Sequence, residues 1–132
     1  MTRRFGIDTS ILVRLLTGDP EDEFRACVEA LTQKIEGEGA EVFASNMVIA
    51  EAYIAVQHHY GVTKAEARQG LLSVLQSGLV APLNGRGVLD ALKETGGCGL
   101  VDRLIADDYR AADLLTLTLD RRMARLPGAR RL

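Results

Sequence analysis

Residues 4–17 read Arg4-Phe5-Gly6-Ile7-Asp8-Thr9-Ser10-Ile11-Leu12-Val13-Arg14-Leu15-Leu16-Thr17. The stretch opens with a short run of strand type, Arg4 to Asp8, and passes at once into a helical run, Ser10 to Thr17. A carboxylate stands where the two meet. A strand that feeds a helix so abruptly is the first half of a βαβ unit, and such units build parallel sheets. At the carboxyl ends of parallel strands the sheet opens its binding crevice. Asp8 therefore falls where an α/β protein does its chemistry.

The alternation continues outward from there. Gly18-Asp19-Pro20 punctuates the chain, and Phe24, Cys27, Val28, Leu31 and Ile35 follow at the spacing of an amphipathic helix. Glu41 to Ser45 reads as a second strand, with Ser45 or Asn46 capping a helix to about Tyr60. That helix is apolar on nearly every side from Met47 to Val56, which predicts burial. Thr63 and Glu66 have the spacing of a capping box and open the next helix. Leu79 to Leu83 reads as a third strand, Arg86 to Thr95 and Leu100 to Ala111 as helices, and Leu114 to Leu119 as a buried fourth strand. A helical turn near Asp120 and a terminal edge strand complete the pattern. The expectation is an α/β fold, a three-layer α/β/α sandwich around a central, mostly parallel sheet of four to five strands.

The bulk numbers bound the function. At 132 residues, with 47% hydrophobic and 26% charged, the chain suits one compact domain over residues 1–132 rather than a disordered segment. A net charge of −2 excludes a uniformly basic nucleic-acid coat. Any approach to phosphates needs local arginines and cations. Cys27 and Cys98 belong to no metal-ligand spacing and read as reduced, partly buried thiols. No apolar run approaches a membrane span or a secretory leader, so the expected location is cytoplasmic.

Three acids lie in apolar company: Asp8, Glu51 within Met47–Val56, and Asp102 within Gly99–Ala106. A carboxylate drawn from water without a partner costs several kcal/mol, about the stability of a small domain. A cation, a basic partner or a proton must offset that. Asp8 and Asp120 end the first and fourth strands, Asp102 opens a helix, and Glu51 lies one turn into the helix after the second strand. Convergence of the four at one rim suits Mg²⁺ or Mn²⁺, hard cations that prefer oxygen. Simpler readings stand beside this: Asp8 or Asp120 as helix caps, Asp102 as a complement to the helix dipole, and Glu51 in an ion pair with Arg14 or Arg103.

At Ile7-Asp8-Thr9-Ser10, Ile49-Ala50-Glu51, Val101-Asp102-Arg103-Leu104-Ile105-Ala106 and Leu117-Thr118-Leu119-Asp120, the chain resembles the PIN-domain superfamily. Within it the likeness is to the VapC-type toxin ribonucleases of bacterial toxin–antitoxin pairs. Singly these motifs are short; their order and spacing across the whole chain are specific. The resemblance implies metal-dependent hydrolysis of RNA phosphodiesters, with Asp8, Glu51, Asp102 and Asp120 as catalytic metal ligands and Thr9, Ser10 and Thr118 in support. It also implies a homodimer and a small antitoxin that blocks the site.

Two features depart from the family pattern. Asp107 and Asp108 replace small apolar residues and, pointing away from Asp102, read as solvated. The glycine that often ends this helix is missing. Arg121, Arg122 and Arg125 crowd next to Asp120 and are candidates for substrate phosphates. His58-His59 suits a helix dipole, and Gly96-Gly97-Cys98-Gly99 lacks the Lys-Ser/Thr of a phosphate loop.

Other Asp-dependent phosphoryl-transfer folds fit less well. A haloacid-dehalogenase-like enzyme needs an Asp where Ser10 stands, and a receiver domain needs an acidic pair near the first strand. A catalytically silent PIN-like domain that serves only to bind is the alternative of a different class.

Overall fold

A computed structural model describes residues 2–132. Strand β1 (Arg4–Gly6) leads into α1 (Thr9–Thr17) and α2 (Glu21–Thr32), which runs on into a π-helical turn, Gln33–Gly37. Strand β2 (Glu41–Ala44) is followed by α3 (Asn46–Tyr60) and α4 (Lys64–Leu75), and β3 (Ala81–Pro82) by α5 (Arg86–Lys93) and α6 (Leu100–Ala111). Strand β4 (Thr116–Thr118), a 3₁₀ turn (Met123–Arg125) and β5 (Ala129–Arg131) close the described chain.

All strand pairings are parallel, as the βαβ reading requires. The five strands hydrogen-bond as two ladders, β1-β2-β3 and β4-β5, rather than as one continuous sheet. Phe5 lies opposite Val42 and Phe43 opposite Ala81, so the carboxyl ends of β1, β2 and β3 share one edge. Asp8, Ser45-Asn46 and Leu83-Asn84 leave from that edge.

Local chemistry sets the element ends. Ser45 accepts the Val48 N–H and caps α3, and Gly61 takes the left-handed conformation that stops it. The Thr63–Glu66 capping box forms in both directions. At the end of α6 the left-handed position is filled by Asp113, with φ +62°, in place of the glycine the chain lacks. The Leu114 N–H reaches back to the Tyr109 carbonyl at 2.8 Å and the Asp113 N–H to Arg110 at 3.0 Å, a Schellman-type stop.

The core joins Leu12 and Leu15 of α1 to Ile49, Ala52 and Val56 of α3, Leu71 of α4, Val88 of α5, and Leu100 and Leu104 of α6. Two expectations of burial fail. α3 exposes Met47, Glu51 and Ile54, which lie at i, i+4 and i+7 on one stripe. In the Leu114–Leu119 segment the pattern is inverted: Thr116 is buried, while Leu115, Leu117 and Leu119 face outward. With β4 paired only to β5, one face of the short strand covers Thr116 and the other has no layer over it. Both cysteines are free, with Cys27 partly and Cys98 fully buried. Among the described residues no helix is long and apolar enough to cross a membrane.

Candidate active site

Asp8 ends the extended segment after β1 and caps α1. Its Oδ1 accepts the Ser10 hydroxyl at 2.5 Å, the Ser10 N–H at 3.1 Å and the Ile11 N–H at 3.4 Å. The Ser10 hydroxyl, then the Ile11 N–H, hold the Asp8 carboxyl below the usual carboxylate range. No donor among the described residues reaches Oδ2. The cap reading and the site reading of Asp8 are therefore compatible, because they use different oxygens. Of the two hydroxyls after it, Ser10 engages the carboxylate; Thr9 is the first residue of the helix.

Asp120 repeats the arrangement beyond β4. Its Oδ1 accepts the Met123 N–H at 2.8 Å and starts the 3₁₀ turn, and its own N–H donates to the Thr118 hydroxyl at 3.0 Å. Thr118 thus fixes the backbone of Asp120, and Oδ2 again has no protein donor among the described residues.

Glu51 is exposed, and Asp102, in the first turn of α6, is half-buried. Asp8 and Asp120 are exposed as well, so desolvation does not explain these acids, contrary to the sequence reading. Neither expected ion-pair partner meets Glu51. Arg14 pairs with Glu23 at 2.8 Å and donates to the Asp19 carbonyl, while Arg103 binds the backbone of the glycine loop before α6. Among the described residues none of the four acids forms a salt bridge.

Cys98 packs against Met123 and Ala106, which brings together α6, opened by Asp102, and the turn begun by Asp120. Burial pushes the Cys98 thiol up; the charge of Arg103 opposes this, and those of Asp102 and Asp120 reinforce it. α1 packs on α3 and α3 on α6, which joins the elements that carry Asp8, Glu51 and Asp102. As placed, no three acidic, histidine or cysteine side chains among the described residues stand close enough to ligate one ion. The donor set itself is compatible with Mg²⁺, which uses one or two carboxylates and retains several waters.

Among the described residues the buried carboxylate is Asp107, which the sequence reading placed in solvent. It lies on the inner stripe of α6 with Leu100 and Leu104, at i, i+4 and i+7. That spacing was the available signal, and comparison with Asp102 alone missed it. Its Oδ2 accepts Asn46 Nδ2 at 2.9 Å and Asn84 Nδ2 at 3.1 Å. Asn84 also holds the exposed Asp108 at 2.7 Å, and Asn46 donates to the Leu104 carbonyl at 2.9 Å. Two residues that leave the rim after β2 and β3 are thereby tied to α6. Asn46 Oδ1 is buried without a donor. Exchanging the amide's ends would set its oxygen against the Leu104 carbonyl and the Asp107 carboxylate, so this orientation is the better one.

The segments that carry Asp102 and Asp120 also contribute to a polar cleft of about 620 Å³ lined by Thr95, Gly97, Cys98, Arg103, Arg122 and Arg125, among others. Arg121, exposed, does not line it. Arg103, expected from sequence only as a possible partner of Glu51, lines this cleft instead. It donates from Nε to the Cys98 carbonyl at 3.2 Å and from a terminal nitrogen to that of Gly96.

Residues 6–129 match the family model of the PIN domain. No curated protein and no solved structure matches significantly. The family match covers almost the whole chain, and the chain belongs to the PIN domain family, a family of metal-dependent nucleases whose members typically bind divalent metals.

Proposed function

We propose that this PIN-family chain is one nuclease domain over residues 1–132 that hydrolyses RNA phosphodiester bonds with Mg²⁺ or Mn²⁺ held by Asp8, Glu51, Asp102 and Asp120. We infer further that it is the cytoplasmic toxin of a toxin–antitoxin pair. The observation that carries the reading is a set of carboxylates left without basic partners, two of which are half-tied. Asp8 and Asp120 each commit Oδ1 to their own backbone and leave Oδ2 free.

The chain's own residues do the positioning. Ser10 keeps Asp8 ionised and aimed, Thr118 fixes the turn that presents Asp120, and the Asn46–Asp107–Asn84 network ties α6, which carries Asp102, to the rim. A bound divalent ion supplies a readily ionised water and neutralises charge that develops on the phosphate. Without the ion the acids repel RNA. The exposed apolar residues Ile105 and Tyr109 on α6 support a homodimer, and the outward Leu115, Leu117 and Leu119 at and beside β4 leave room for a small antitoxin.

The test is cleavage of RNA by the purified chain in Mg²⁺ or Mn²⁺, with EDTA as the control. Cleavage should vanish in EDTA and in Asp8→Asn and Glu51→Gln. Variants that cut as well as the parent refute the assignment. Saturating Mn²⁺ should raise the melting temperature by preferential binding to the native state. Absence of both cleavage and a shift favours the silent binding domain.

A further inference from the structure

We propose that Arg103, Arg122 and Arg125 form a phosphate seat, a cleft that takes a backbone phosphate of the RNA beside the bond to be cut. The inference rests on the nuclease reading and adds to it a substrate subsite, with one residue, Arg103, that the charge clustering at the C-terminus does not reveal.

Three observations converge. The first is charge. Three arginines line one cleft of about 620 Å³, and among the described residues none of them pairs with a carboxylate within 4.0 Å. Cations gathered at one cleft without counter-ions repel one another, and an anion relieves that repulsion. The second is pre-organisation. Arg103 is anchored by its bonds to the Gly96 and Cys98 carbonyls, which use two of the five guanidinium N–H groups. The remaining donors are held in a fixed fork, the arrangement that suits a tetrahedral oxyanion. Gly97, at φ +78°, packs against the same guanidinium: a Cβ there would come within 3.2 Å of a terminal nitrogen. The loop is shaped to that arginine.

The third observation is location. Cys98 lines the cleft and packs against Met123 and Ala106, and Arg103 and Arg122 lie one and two residues beyond Asp102 and Asp120, so the seat is built from the segments that carry two of the four acids. A phosphate held there would bring the neighbouring stretch of chain toward those acids, where an anion alone would be repelled. Arg121 lies outside the cleft and takes no part.

The probe is a short, fluorescein-labelled 2′-O-methyl phosphorothioate oligonucleotide, which resists cleavage, read by anisotropy in Mg²⁺ across a salt series. Arg122→Gln and Arg125→Gln, both at exposed positions, should each weaken binding about tenfold. Each should also lower the slope of log K against log salt by about 0.7, the value for one lost phosphate contact on a single strand. Arg121→Gln should change neither. Arg103→Lys keeps the charge but loses the fork, and should weaken binding as well. Parent-like affinity and salt slope in the Arg122→Gln/Arg125→Gln double variant overturn the proposal. So does equal loss of binding to a polyglutamate peptide, which marks a carboxylate site instead. The two readings fail separately. RNA cleavage with unchanged oligonucleotide binding in the arginine variants sinks the seat alone. Arginine-dependent binding without any metal-dependent cleavage sinks the nuclease and leaves the seat.

Discussion

Replacing Gly87 by alanine tests the buried carboxylate network. Gly87 is the second residue of α5, and in most helices Gly→Ala stabilises by up to about 1 kcal/mol. Here a Cβ would stand 2.6 Å from Asp107 Oδ1, inside any ordinary contact. The carboxylate is rigid, so displacing Oδ1 drags Oδ2 from its bonds to Asn46 at 2.9 Å and Asn84 at 3.1 Å. Each hydrogen bond to a charged group contributes roughly 1.5–3 kcal/mol. Partial relaxation and the helix gain offset part of that loss. A net destabilisation of about 1–3 kcal/mol follows, or several degrees of melting temperature for a domain of this size. The assay is urea unfolding of four proteins: parent, Gly87→Ala, Asp107→Ala and the double variant. In the Asp107→Ala background the space is open, and Gly87→Ala should turn neutral or stabilising. A coupling below about 0.5 kcal/mol, or a stabilising Gly87→Ala in the parent, refutes the reasoning.

Asp113→Gly should stabilise by up to about 1 kcal/mol, since a left-handed backbone suits glycine at little steric cost, and Asp113→Val should destabilise by about 1–2 kcal/mol; thermal unfolding of both decides, and equal melting temperatures count against the strained stop. Cys98, buried and with its thiol pushed up, should resist iodoacetamide at pH 8 in the native protein while the partly buried Cys27 reacts first. Because the folded thiol holds its proton more tightly, the stability it contributes is complete below the unfolded value near 8.5 and declines as pH rises above that. Mass spectrometry that shows equal labelling of the two cysteines contradicts this.

Much of the fold was legible because its signals are local. The Thr63–Glu66 box, Gly18 and Gly61 as stops, and the strand-to-helix passage at Asp8 each depend on residues within a few positions of one another. What misled was the inference from an apolar neighbourhood to burial. Met47, Glu51 and Ile54 show that an apolar stretch marks a surface to be covered, which within one chain need not be covered at all. The same error set Glu51 inside and turned Leu115, Leu117 and Leu119 inward. Asp107 failed in the opposite sense: its acidity suggested solvent, while its helical spacing from Leu100 and Leu104 pointed to the core. Arg103 was read from sequence only as a possible partner of Glu51; its anchoring at the cleft could not be, because its partners are backbone carbonyls, which every residue offers alike.

The half-tied state of Asp8 bears on which cation the proposed site would prefer. Oδ1 of Asp8 already accepts three bonds and has no lone pair left for a metal. An ion arriving at this residue meets a monodentate ligand, oriented before it comes. Calcium readily gathers six to eight oxygens and favours carboxylates that bind through both, whereas magnesium completes a small octahedron from single oxygens and water. If Asp8 holds the ion as proposed, a cap that serves to begin a helix would also act as a filter on denticity and discriminate between two ions of equal charge.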